Sequence, residues 1–167
     1  MFPRKSSLGL ALALLIAAPA PAATPPPAPT TLAQSADFIG TAINVVDLAR
    51  ELRFYTEVFG LKVAATLPLG TRSETILHFP GNSAQPALLL MHDTGPAAPT
   101  KIEHGNGFSR LVIRVVDIAA TAVKLTELGY AHGEVREGSH GYKVMMMSDP
   151  EGFRLEVVQK SIQQRGN

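Results

Sequence analysis

Between Asp37 and Val46 the apolar Ile43 and Val45 alternate with the small or polar Ala42 and Asn44, the period of two that marks a strand. After Asp47 the spacing changes to that of a helix. Leu48, Leu52, Tyr55 and Val58 fall at i, i+4, i+7 and i+10, with Asp47 placed to cap the first turn and Gly60 to end the last. Three more strands are predicted over Leu61–Leu67, Ser73–Phe79 and Pro86–His92, parted by turn-forming residues around Gly70 and Gly81. The order is βαβββ.

A Gly- and Pro-containing stretch from Asp93 to Gly107 follows, and then the pattern restarts. Phe108–Val116 reads as a strand and Asp117 as a cap. Ile118, Ala122, Leu125 and Leu128 repeat the helical face of the first half at the same spacing, and Gly129 stops the helix. Strands are predicted over Tyr130–Arg136, Gly141–Ser148 and Phe153–Gln159, the last two joined by a tight turn at Asp149-Pro150-Glu151-Gly152. The stretches Gly40–Ala49 (GTAINVVDLA) and Arg110–Ala119 (RLVIRVVDIA) are two versions of one strand-to-helix junction. The chain therefore reads as an α+β protein of two tandem βαβββ modules.

Three features resemble the vicinal oxygen chelate superfamily, the glyoxalase, bleomycin resistance protein and extradiol dioxygenase group. They are the duplicated Val-Val-Asp-Leu/Ile-Ala junction, the run Phe54-Tyr55-Thr56-Glu57-Val58-Phe59-Gly60-Leu61, and the run Asp149-Pro150-Glu151-Gly152-Phe153-Arg154-Leu155-Glu156. The resemblance covers about Asp37 to Gln159. It implies two modules whose sheets curl into a cupped, barrel-like mixed sheet with the helices outside, and a ligand or metal held in the cup.

In metal-dependent members of that family the ion is held by one side chain on the first strand and one on the last strand of each module, usually His, Gln or Glu. Carried onto this chain, those positions are Gly40, Leu89 or Leu90, Arg110 and Glu156. Glycine and leucine have no donor atom, and a guanidinium has no lone pair to give a cation. Glu156 alone keeps a ligand-type side chain, too little for an ion that needs three or four donors. His78, His92, His104, His132 and His140 do not pair at metal-ligand spacing. No metal or other cofactor is expected.

Strand parity places Arg110, Val112 and Arg114 toward the cup, opposite Arg154, Glu156 and Val158, with Ala42 and Asn44 from the first strand. A carboxylate on that face needs a counter-charge, so Arg110 is expected to pair with Glu156 in place of the lost metal. Arg114 and Arg154 then remain to hold an anionic small molecule, with Arg110 and Asn44 beside them as candidate binding residues. Glu156 is the candidate catalytic base if the protein is an enzyme. The Met145-Met146-Met147 run should alternate between core and cavity.

Composition narrows the setting. Residues 1–22 have Arg4 and Lys5 ahead of an apolar run from Leu8 to Ala18 and small residues at Ala20-Pro21-Ala22, the layout of a secretory signal peptide. Cleavage is expected after Ala22 or Ala23, with an uncleaved anchor as the alternative. Residues 23–36 form a Pro/Ala-rich spacer. One domain is expected over 37–160, with module one at 37–92, a linker at 93–107 and module two at 108–160; residues 161–167 are a tail. The chain has no cysteine, so disulfides and thiolate metal sites are excluded. Without Arg4 and Lys5 there are 13 basic against 14 acidic residues, a balance that points away from nucleic acid.

The leading functional expectation is an exported, periplasmic or secreted protein that binds a small, anionic or amphiphilic molecule in the cup without a metal, with no membrane contact after signal cleavage. One alternative is a divergent lyase or isomerase, or a dioxygenase-related enzyme, of the same superfamily. Another is a non-catalytic dimeric interaction module. A homodimer is the candidate assembly in each case.

Overall fold

Two aspartates set where the helices begin. The Asp47 carboxylate accepts the Arg50 N–H at 3.0 Å, and that of Asp117 accepts those of Ala119 and Ala120 at 2.9 and 3.0 Å. The helices α1 (Leu48–Phe59) and α2 (Ile118–Glu127) each start one residue later. Both end where a glycine takes the left-handed conformation, Gly60 and Gly129 at φ 74° and 77°, which a side chain would resist. The structure, a computed structural model, describes residues 36–81 and 86–160. The expected signal peptide, nearly all of the spacer and the C-terminal tail lie outside the described residues.

Strands β1 (Gly40–Val45), β2 (Lys62–Leu69), β3 (Arg72–His78) and β4 (Ala87–Asp93) form one sheet in the order β1-β4-β3-β2. Strands β5 (Leu111–Arg114), β6 (Arg136–Glu137), β7 (Tyr142–Ser148) and β8 (Arg154–Lys160) form the other, in the equivalent order β5-β8-β7-β6. In each module the first and last strands pair parallel and the other neighbours antiparallel. The two βαβββ modules are those expected from the repeat, but the sheets remain separate and close no barrel.

The first strand starts only at Gly40, and two others are cut to less than half of the expected length. The strand read over Phe108–Val116 is confined to Leu111–Arg114, so Arg110 stands just ahead of it. Of Tyr130–Arg136 only the last residue enters β6, with a single bridge from His132 to Met147 before it. At Gly133 the N–H bonds the Met146 carbonyl at 2.8 Å, and a Cβ there would meet the same oxygen at 3.0 Å. A side chain at residue 133 would crowd that oxygen, so glycine suits this close approach at the sheet edge.

Helix α1 is buried on a broader face than its apolar spacing implied. Tyr55 and Val58 are buried as expected, but so are Glu51 and Phe54, while Leu48 and Leu52 are only partly covered. The reason is that α1 meets its own sheet and also module two, where the Phe54 ring stands edge-on to Tyr130 at 4.9 Å. On α2, Ile118 and Leu125 are buried and Leu128 is exposed, contrary to its place in the repeated face. One apolar cluster runs through both modules, from Ile43, Leu88 and Leu90 to Ile113, Leu155 and Val157. Met145 and Met147 point into it and Met146 away, the alternation a strand imposes.

The modules are also joined by polar contacts from the turn between β7 and β8. The Tyr55 hydroxyl donates to Asp149 Oδ2 at 2.7 Å, and Asp149 Oδ1 accepts the Phe153 N–H at 2.8 Å. Glu151 Oε1 accepts the N–H groups of Val46 and Asp47 at 3.0 and 2.8 Å and an Arg50 Nη2 bond at 3.2 Å. A carboxylate of module two thus caps the start of the helix of module one, where unpaired N–H groups and the helix dipole favour negative charge. Removing the hydroxyl with Tyr55→Phe leaves a buried carboxylate short of a donor and should cost about 1–3 kcal/mol in urea unfolding. An unchanged midpoint would show that this bond contributes nothing to the junction.

Candidate functional site

Parallel pairing decides which side chains stand together on the open faces of the sheets. Leu89 of β4 lies beside Ala42 of β1, and Glu156 of β8 lies beside Val112 of β5. Gly40 and Arg110 are each two residues earlier, so Gly40 stands to Leu89 as Arg110 stands to Glu156. Leu90 belongs to the core and is fully buried, which assigns the module-one position to Leu89.

The four positions expected to hold donors are filled in two different ways. In module one, a Cβ added to Gly40 would come within 2.6 Å of Leu89 Cδ1 and 2.7 Å of the Ala87 carbonyl oxygen. The leucine could turn aside, but the backbone oxygen cannot, so no donor side chain fits at residue 40 without moving a strand. In module two, Arg110 Nε donates to Glu156 Oε2, and Arg110 Nη1 bonds Ser109 Oγ at 3.2 Å. The ion pair expected from the sequence is formed. A glycine held by a backbone oxygen, a leucine, a guanidinium and one carboxylate already engaged by that guanidinium do not fit a divalent ion.

Two of the five histidines are engaged elsewhere. His132 shares bonds with Thr126 Oγ1 at 3.0 Å and Gly133 O at 2.9 Å, and His104 Nε2 lies 2.9 Å from Glu151 O. Among the described residues no three His, Asp or Glu side chains converge as a metal cage.

A cavity of about 770 Å³ opens where β5 meets module one, within the size range of small-molecule sites. Arg110, Val112 and Arg114 line one side, and Phe38, Phe79 and Phe108 are part of its apolar wall. Of the expected binding residues, the structure brings Arg110 and Arg114 to this cavity. Glu156 reaches it through Arg110, whereas Arg154 and Asn44 are exposed on their strands and do not line it. Arg114 has no carboxylate within ion-pair distance among the described residues. A cation at an apolar wall without a partner is suited to a ligand that is itself anionic and amphiphilic.

The aromatic wall was missed in the sequence, although a signal was present. Phe38 and Phe108 each stand nine residues before a capping aspartate, so they are equivalent positions of the duplicated junction. Both are largely exposed, at 69% and 42%. Large apolar side chains repeated at an exposed, equivalent place make a candidate binding surface.

A family model described as the Glyoxalase/Bleomycin resistance protein/Dioxygenase superfamily matches residues 37–157. The chain belongs to this superfamily. A probable lactoylglutathione lyase from Synechocystis sp. is 30% identical over 128 residues, 72% of this chain and 93% of the relative. The crystal structure of an antibiotic binding protein from Streptomyces sp. aligns with a TM-score of 0.60 at 25% identity, covering 75% of this chain and 97% of that one. Glyoxalase I from Zea mays aligns with a TM-score of 0.63 at 25% identity, covering 74% of this chain and 44% of the maize chain. The chain thus spans less than half of that larger relative. The superfamily fold accordingly comes with both an enzyme and a binding protein among its neighbours.

The steric closure of module one is testable. Gly40→Ala should destabilise the domain by about 1–3 kcal/mol in urea, the range for overpacking, and Leu89→Ala in the same chain should not restore it because the Ala87 oxygen remains. A neutral Gly40→Ala would mean that the strands yield and that residue 40 can accept a side chain.

Proposed function

We propose that this superfamily member binds a small amphiphilic anion without a metal, seated in the cavity against Arg114 with its apolar body on Phe38, Phe79 and Phe108. The observation that carries the reading is Arg110 joined to Glu156 where metal-dependent members of the family place donors. That pair neutralises the Glu156 carboxylate, and Arg114 remains at the cavity without an ion-pair partner among the described residues. An aromatic carboxylate or phosphate matches a guanidinium beside an aromatic wall better than a neutral or cationic molecule does. Arg154 and Asn44 lie further along the open faces and would touch only a ligand larger than the cavity.

The expected setting remains export, on the strength of the N-terminal charge and hydropathy pattern. A homodimer is also part of the proposal. The open sheet faces carry Leu67, Leu69 and Val112, all substantially exposed, and a second copy would cover them. The identity to a probable lactoylglutathione lyase supports a second reading, a divergent lyase that works with Glu156 rather than a bound ion. Formation of lactoylglutathione by the purified domain, abolished in Glu156→Gln, would favour it.

Titration calorimetry with benzoate and phenyl phosphate in chelator-treated buffer tests the main reading. Saturable binding is expected, weakened about tenfold or more, about 1.4 kcal/mol, by Arg114→Ala, and weakened also by Phe108→Ala. Binding that Arg114→Ala leaves unchanged would remove the arginine from the site.

A further inference from the structure

The module junction holds an acid that the binding site does not use. Glu51 lies on the first turn of α1, fully buried, with both carboxyl oxygens free of any hydrogen-bond partner among the described residues. Tyr55, one turn further along the same face, donates to Asp149. Across from this face is the Asp149–Gly152 turn of module two, and two of its side chains are carboxylates that already hold the junction together. Asp149 is 5% exposed and bound to Tyr55 and the Phe153 N–H; Glu151 is bound to the start of α1 and to Arg50.

We propose that Glu51 is a proton-operated latch between the modules: as a neutral carboxyl it lets the Asp149–Gly152 turn dock on α1, and on ionising it drives the turn away. A third buried negative charge beside two carboxylates has no counter-ion that reaches it directly. Arg50 is the nearest cation on α1 and is engaged with Glu151, and half of its side chain is in solvent. His104, on the linker, is bonded to the Glu151 carbonyl and not to Glu51. Asp47 faces outward at the start of the helix with its carboxylate on the Arg50 N–H. Asp149 and Glu151 therefore oppose its ionisation, and the Glu151 N–H and the Arg50 charge, already engaged with Glu151, offset them only in part.

Burial first, and then the Asp149 charge, push the Glu51 carboxyl up to about 8 from its usual value near 4.5. Burial likewise raises Asp149, and it raises Tyr55 well above the usual phenol range, with the Asp149 charge adding to it. The sign follows. Between pH 4.5 and 8 the folded chain keeps a proton on Glu51 that the unfolded chain has released, so stability falls as pH rises. The contribution is complete below about pH 4.5 and lost above about pH 8. The cavity is lined from both modules, so release of the turn also disturbs the wall formed by β5. The latch does not depend on which ligand the cavity takes.

Two measurements on the full domain test the latch. Infrared spectra of the wild type should contain the C=O stretch of a protonated carboxylic acid at pH 7, titrating away near pH 8 and missing in Glu51→Gln. Hydrogen exchange at Val46, Asp47 and Phe153, whose N–H groups bind the two carboxylates, should speed up in the wild type between pH 7 and 9, after correction for intrinsic rates, and not in Glu51→Gln. Glu51→Gln should also flatten the fall in melting temperature between pH 5 and 8.5. Absence of the protonated-acid band at pH 7 would overturn the proposal without any variant. So would a pH dependence of exchange and melting in Glu51→Gln that matches the wild type.

Discussion

Parallel pairing of the first and last strands is the constraint on which the site depends. It sets Leu89 beside Ala42 and Glu156 beside Val112, and so leaves residues 40 and 110, two positions earlier, at the same offset from residues 89 and 156. Whatever occupies one member limits the other. Module one meets the constraint by shape, with a glycine that lets Leu89 and the Ala87 oxygen close in. Module two meets it by charge, with an arginine that neutralises the one carboxylate kept. Both are self-consistent pairs, so these positions hold neither an empty hole nor an unpaired charge.

The second dependence is between modules. Apolar packing of Phe54 on Tyr130 joins them, and the Asp149–Gly152 turn adds direction because its carboxylates must meet particular N–H groups of α1 and the Tyr55 hydroxyl. A turn that reads as a strand connection is therefore also an interface. Placing Glu51 inside it makes the interface sensitive to protonation, at a distance from the guanidinium groups that face the cavity.

Much of this was legible in the sequence because it rests on local physics repeated twice. The Asp caps, the terminating glycines, the period-two strands and the alternation of the three methionines each follow from short-range geometry, and the duplication made the module boundaries clear. The Arg110–Glu156 pair followed from parity together with the cost of an unpaired carboxylate. What escaped were features decided by tertiary contact. Glu51 sits at a position that looks solvent-facing until α1 is known to be covered on two sides, and Leu128 looks like core until the end of α2 proves exposed. The predicted strand from Tyr130 is reduced to a single bridge at His132 and the two residues of β6. The cavity joins residues far apart in the chain, so its wall of phenylalanines was hidden although Phe38 and Phe108 are equivalent by repeat.

The replacement of the donor set is most directly tested by calorimetric titration of the purified domain with nickel, zinc, iron(II) and manganese. With Gly40 closed by a backbone oxygen and Glu156 held by Arg110, no saturable one-to-one binding is expected for any of the four. Stoichiometric binding that disappears in Glu156→Ala would contradict it.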